Sequence, residues 1–150
     1  MKKVTIYTDG SCLGNGKESA CGGWAAILTY GTHEKEIYGG EPNTTNNRME
    51  LTAVIEALKR LKEACEVEIW LDSTYAITAI GALKTGSPLV NKAGKLRANS
   101  DLIQELVAVS KQHKLDVVHV KGHSGNKYNE RCDILAKASA EAVKVQVIEK

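Results

Sequence analysis

Val4-Thr5-Ile6-Tyr7-Thr8-Asp9-Gly10-Ser11 is an alternating, β-branched and aromatic run that stops at an aspartate and passes into small polar residues. Val67-Glu68-Ile69-Trp70-Leu71-Asp72-Ser73-Thr74 repeats the pattern later in the chain. Both read as strands, the first over about Lys3 to Asp9. If the two run parallel, their carboxyl ends share one sheet edge, where open α/β sheets keep their sites. Two carboxylates then face one crevice, which is the beginning of a metal site.

Outward from these runs, the order is three strands, a helix, a strand, a helix, a loop, a helix, a strand and a helix. Trp24 to Tyr30 and His33 to Gly39, parted by Gly31-Thr32, form a hairpin. From Asn47 to about Ala64 the period is helical, with Leu51, Val54, Leu58, Leu61 and Cys65 in one apolar stripe. Ser73 to Leu83 is a second helix, broken by Thr85-Gly86-Ser87-Pro88. A third helix covers Asp101 to Gln112, a strand Leu115 to Val120, and a last helix begins near Asn126 and fades after Ala142. Val143, Val145 and Val147 alternate beyond it, as a terminal strand or a frayed tail. A hairpin first and βα units later imply one mixed sheet with helices packed on it, in a single domain over residues 1–150.

The 150 residues, 43% hydrophobic and 25% charged, have the balance of an ordinary soluble globular chain. A net charge of +2 is too small to indicate nucleic-acid binding by itself. Locally, Gly81 to Ser100 carries Lys84, Lys92, Lys95 and Arg97 and no acid, which alone reads as a solvated loop. Cys12, Cys21, Cys65 and Cys132 make no C-x-x-C pair, so neither a zinc site nor a disulfide framework is expected. No signal-peptide core and no membrane-spanning run is present, which points to a cytosolic chain without a membrane partner. Gly14-Asn15-Gly16-Lys17 resembles a phosphate-binding loop but fails, because Glu18 replaces the hydroxyl residue that would hold Mg²⁺.

Each acid has a plain structural reading. Glu50 completes a capping box in Asn47-Arg48-Met49-Glu50, yet it also lies about 60° from the centre of the apolar stripe and so aims toward the sheet. Asp72, Ser73 or Thr74 can cap the following helix, and Asp9 can form a turn through Gly10. Asp133 can pair with Lys137 one turn on. Spacing alone does not bring Asp133 to the other three.

Taken together, Asp9-Gly10-Ser11-Cys12, Asn46-Asn47-Arg48-Met49-Glu50-Leu51, Asp72-Ser73-Thr74-Tyr75, Lys121-Gly122-His123-Ser124-Gly125 and Asn129-Glu130-Arg131-Cys132-Asp133 resemble, in this order, bacterial type I ribonuclease H. The likeness runs from Val4 to about Ala142. It implies an α/β fold of five mixed strands, three antiparallel and then two parallel, flanked by four to five helices. It implies catalytic and metal-binding carboxylates at Asp9, Glu50, Asp72 and Asp133, with His123 on the following loop as a further catalytic residue. The expected cofactor is Mg²⁺, two ions during catalysis, with Mn²⁺ a substitute, as suits hard oxygen ligands. The implied reaction is endonucleolytic hydrolysis of RNA in an RNA–DNA hybrid, giving 3′-hydroxyl and 5′-phosphate ends, by a monomer.

Hybrid contacts carry over onto Cys12, Asn15, Thr45, Asn46, Asn47 and Ser73, with Thr45 on a DNA-strand phosphate. Asparagine both donates and accepts, which suits a ribose 2′-hydroxyl. Three features depart from the pattern. The basic stretch after the second helix has no aromatic residue, Thr29 stands where those relatives have arginine, and the 14–21 loop is long. The rival readings are a catalytically weak hybrid-binding module, another nuclease of the same fold, and a small-molecule α/β enzyme.

Overall fold

The structure, a computed structural model, describes residues 1–17, 19–84, 98–123 and 125–149. Most of the expected basic stretch, residues 85–97, lies outside them, as does Glu18 of the long loop.

The chain runs β1 (Lys2–Leu13), β2 (Cys21–Tyr30), β3 (His33–Pro42), α1 (Asn46–Lys59), β4 (Cys65–Leu71), α2 (Thr74–Leu83), α3 (Ser100–Ser110), β5 (Lys114–His119), a 3₁₀ turn (Lys121–His123) and α4 (Lys127–Glu149). The five strands form one sheet in the order β3-β2-β1-β4-β5. β1 pairs antiparallel with β2 and β2 with β3, whereas β1 with β4 and β4 with β5 are parallel. The expected mixed sheet is therefore present, with β1 at its centre.

Alternation sorts the side chains between two helical layers. Val4 and Ile6 of β1 and Val67, Ile69 and Leu71 of β4 pack against Leu51, Val54 and Leu58 of α1, Ile80 of α2 and Ile103 and Leu106 of α3. Fully buried chains such as Ile6, Leu51 and Ile69 are each worth about 1.5–3 kcal/mol of burial. On the other face, Ala25 and Ile27 meet Cys132 and Ala136 of α4, with Tyr7 and Tyr128 beside them. This layer sits close because β2 offers no side chain at Gly23. A Cβ there would run into the Ala136 carbonyl and come within 2.5 Å of Ala140 N.

Four expectations need correction. β1 does not stop at Asp9; its pairing with β2 continues to Leu13↔Cys21, so Asp9 sits inside a strand and makes no turn through Gly10. α1 ends at Lys59, and Cys65 opens β4 instead of closing the helical stripe. The helix cap is Thr45, whose side chain accepts from Arg48 N–H, so Asn47 and Glu50 form no capping box. The terminal valines continue α4 to Glu149, neither strand nor frayed tail. Their alternation was not a burial pattern: Val145 and Val147 are 50% and 44% exposed, and the helix already under way costs less to extend than to restart as a strand.

Candidate active site

The last paired residues of β1 and β4 are Tyr7 and Trp70. Two residues further along each chain come Asp9 and Asp72, at the same level of the sheet. β4 ends at Leu71 while β1 continues with β2 alone, so a crevice opens between them at the strands' carboxyl ends. Asp9 stands opposite Ala25 and so shares the α4 face with Tyr7, two residues before it.

Glu50 enters from the first turns of α1. Its Oε1 accepts the Gly10 main-chain N–H at 3.0 Å. Asp9 and Glu50 are each only 4% exposed, and Glu50 Oε2 is buried with no hydrogen-bond partner. Burial above all, and then the charge of Asp9, pushes the Glu50 carboxyl well above the ordinary carboxylate range; Asp72 adds to the push.

Asp72 is 39% exposed at the rim. Its Oδ1 accepts the Gly122 N–H at 3.4 Å and lies 3.5 Å from His119 Nε2. Asp133 arrives from α4, whose start is pinned over the Tyr7–Trp70 level by two contacts. Asn129 Nδ2 donates to the Trp70 carbonyl at 2.9 Å, and the Cys132 thiol donates to the Tyr7 carbonyl at 3.4 Å. Burial, helped by the Asp9 charge, drives the Cys132 thiol up to about 12, so it is an inert packing group next to the site. Asp133 pairs with Lys137 at 3.0 Å, as its spacing suggested.

The structure thus brings Asp9, Glu50 and Asp72 to one crevice and sets Asp133 beside it. Among the described residues, no group of three or more acid, histidine or cysteine side chains is placed to hold a metal ion. At the outer two acids, Asp72 contacts His119 and Gly122, and Asp133 pairs with Lys137. The donor set nonetheless fits a hard divalent ion. It is all carboxylate, and Glu50 Oε2 is a buried carboxyl oxygen lacking a donor. His123 lies on the 3₁₀ turn whose Gly122 amide touches Asp72; its side chain is outside the described residues.

The expected hybrid contacts gather at the start of α1. Asn15 Oδ1 accepts the Asn46 N–H at 3.0 Å, which docks the β1–β2 loop on that helix. The half-buried Cys12 thiol donates to the Thr44 carbonyl at 3.7 Å. Thr45 and Asn47 are exposed beside them, and Ser73 caps α2 by accepting from Ala76 N–H at 3.1 Å. Thr29 is apart from this strip, and its hydroxyl donates to the Thr5 carbonyl.

Three groups escaped the sequence reading. His119 had no motif to mark it. Asn129 could have been found, since it lies one turn before Asp133 on the same helix face. Arg48 forms a bidentate pair with Asp101 and bonds Asn99, which in turn donates to Tyr75 Oη; no local pattern foretells so distant a set.

The ribonuclease H family model matches residues 1–141. A ribonuclease H of Acetivibrio thermocellus is 51% identical over 142 residues, covering 91% of this chain and 93% of that protein. A ribonuclease HI of Campylobacter jejuni is 48% identical over 140 residues, covering 93% and 92%. Among solved structures, LC9-RNase H1, described as a type 1 RNase H with the type 2 active-site motif, superposes with a TM-score of 0.81 at 29% identity, covering 95% of this chain and 74% of that one. By the family match over residues 1–141 and these relatives at about half identity, the chain belongs to the ribonuclease H family of hydrolytic endoribonucleases.

Proposed function

We propose that this chain hydrolyses the RNA strand of RNA–DNA hybrids, with Asp9, Glu50, Asp72 and Asp133 as carboxylate ligands of two Mg²⁺ or Mn²⁺ ions and with 3′-hydroxyl and 5′-phosphate ends as products. The observation that carries this reading is the Asp9–Glu50 pair: two carboxyls buried together, with Glu50 Oε2 lacking a hydrogen-bond donor among the described residues. Such a pair is costly unless a cation joins it. When bound, two divalent ions supply an activated water and charge neutralisation at the departing oxygen.

The chain's own groups do the remainder. Gly10 N–H holds Glu50 Oε1 fixed, leaving Oε2 as its ligating atom. Asp72 and Asp133 complete the ligand set once drawn from His119 and Lys137. Asn15, Asn46 and Asn47 at the α1 start bind the ribose-bearing strand through groups that both donate and accept, and Thr45 binds the DNA phosphate. Cys12 borders the same strip, and Ser73, at the cap of α2, is the remaining proposed contact. His123, riding on the turn next to Asp72, passes a proton to the departing 3′-oxygen or helps release the product.

The test is cleavage of a labelled hybrid by wild type and Asp9→Asn, with and without chelator, beside RNA–RNA and DNA–DNA duplexes. Cleavage confined to the hybrid, and abolished by either the substitution or the chelator, is expected. Undiminished cleavage by the variant overturns the mechanism, and equal cleavage of all duplexes overturns the substrate.

A further inference from the structure

We infer that His119 is a positioning residue that registers Asp72 and the Lys121–His123 turn against each other, so that cation affinity at Asp72 and the placement of the turn depend on one contact. The inference rests on the reading of Asp72 as a metal ligand given above.

β4 and β5 end together, at the pair Leu71↔His119. One further main-chain bond, Val120 N–H to the Leu71 carbonyl at 2.9 Å, continues past that pair. Beyond it Asp72 has left the ladder, and its carbonyl needs another donor. His119 Nε2 lies 3.1 Å from that carbonyl oxygen. A carbonyl can only accept, so Nε2 must carry the hydrogen. This assigns the tautomer. In the neutral ring the lone pair is on Nδ1, and Nε2 cannot itself ligate a metal.

The same Nε2–H lies 3.5 Å from Asp72 Oδ1, which also accepts the Gly122 N–H at 3.4 Å. Residues 119 to 122 thus place three donors on Leu71 and Asp72. The main-chain contact is firm, while both contacts to Oδ1 are long. His119 therefore fixes where the Asp72 backbone sits more firmly than it holds the carboxylate. The Gly122 contact transmits that placement to the turn bearing His123. The imidazole is an exposed group at a strand end, so replacing it removes this contact without opening the core.

Groups that hold a ligand from outside typically change metal affinity by about 10–100-fold when removed. The experiment is calorimetric titration of Mn²⁺ into nucleic-acid-free wild type, His119→Ala, His119→Gln and Asp72→Asn, with amide hydrogen exchange at Gly122 measured alongside. Glutamine keeps an N–H donor at similar reach. We expect Mn²⁺ binding about tenfold weaker in His119→Ala and within about twofold of wild type in His119→Gln. Gly122 exchange should quicken in the alanine variant and recover in the glutamine one. Equal affinity in wild type and His119→Ala, with Asp72→Asn weakened, overturns the role of His119 alone. So does a folded His119→Gln that binds as weakly as alanine. Failure of wild type to bind Mn²⁺ removes the carboxylate reading beneath it as well.

Discussion

The Gly10 main-chain nitrogen lies 3.0 Å from Glu50 Oε1, and through this hydrogen bond the central strand grips the start of α1. The approach requires a residue with no side chain. A Cβ at position 10 would stand 2.5 Å from Glu50 N and 2.7 Å from the Met49 carbonyl carbon, both main-chain atoms that cannot step aside. Gly10→Ala should therefore push α1 from β1, costing about 1–3 kcal/mol in urea unfolding. The displaced Glu50 should lower hybrid cleavage by about 100-fold. A variant as stable and active as wild type would falsify the assignment of this contact.

The pH dependence of stability follows from the Asp9–Glu50 pair. Glu50 sits well above its ordinary value of 4.5 because it is buried and faces Asp9. From about pH 4.5 up to the raised folded value, the folded chain keeps a proton that the unfolded chain has lost. In that window folding binds protons, so stability falls as pH rises. Urea midpoints of metal-free protein should decline across it. Glu50→Gln should flatten the decline while abolishing cleavage, and saturating Mg²⁺ should also flatten it by binding the folded form. Parallel curves for wild type and Glu50→Gln would contradict this account.

Asn15→Ala removes the acceptor that holds the Asn46 amide at 3.0 Å. One net hydrogen bond is worth about 0.5–1.5 kcal/mol. If the loss falls on hybrid binding, KM should rise roughly fivefold with kcat little changed. Steady-state kinetics on a defined hybrid decide it. If the proposed hybrid binding includes phosphate contacts, the measured affinity should also fall with salt.

On the proposed reading of Asp133 as a metal ligand, Lys137 competes with a cation for it. The pair is an i,i+4 contact at 3.0 Å with Lys137 64% exposed, so it is worth only about 0.3–0.5 kcal/mol. Lys137→Met should lower thermal stability slightly and strengthen Mg²⁺ binding by roughly twofold. Titration of the variant beside wild type reads the change, and weaker Mg²⁺ binding would show that Lys137 supports the site.

Much of the molecule could be read from its residues because local pattern and global fold agree. The two runs ending near Asp9 and Asp72 gave the parallel pair, and the Leu51–Leu58 stripe gave the helix above it. Where the reading slipped, tertiary contacts had overruled local chemistry. Gly10 seemed to end a strand, but it is small so that α1 can touch it. Glu50 matched a capping box, but its oxygen is taken by a strand forty residues away. The valines after Ala142 alternate like a strand, yet they extend a helix already formed. His119 was invisible for a different reason. Its role is a single side-chain contact to a main-chain oxygen across the sheet, which leaves no trace in spacing.

That β1 runs on to Leu13 beyond the end of β4 has a mechanical consequence. The deepest acid hangs from a central strand that stays paired with β2 on one side while the crevice opens on the other. Its geometry is therefore in place before any nucleic acid arrives, and the amides around Asp9 should be among the slowest to exchange with solvent. Under the proposed function, adaptation to a passing duplex falls to Asp72 at the exposed rim.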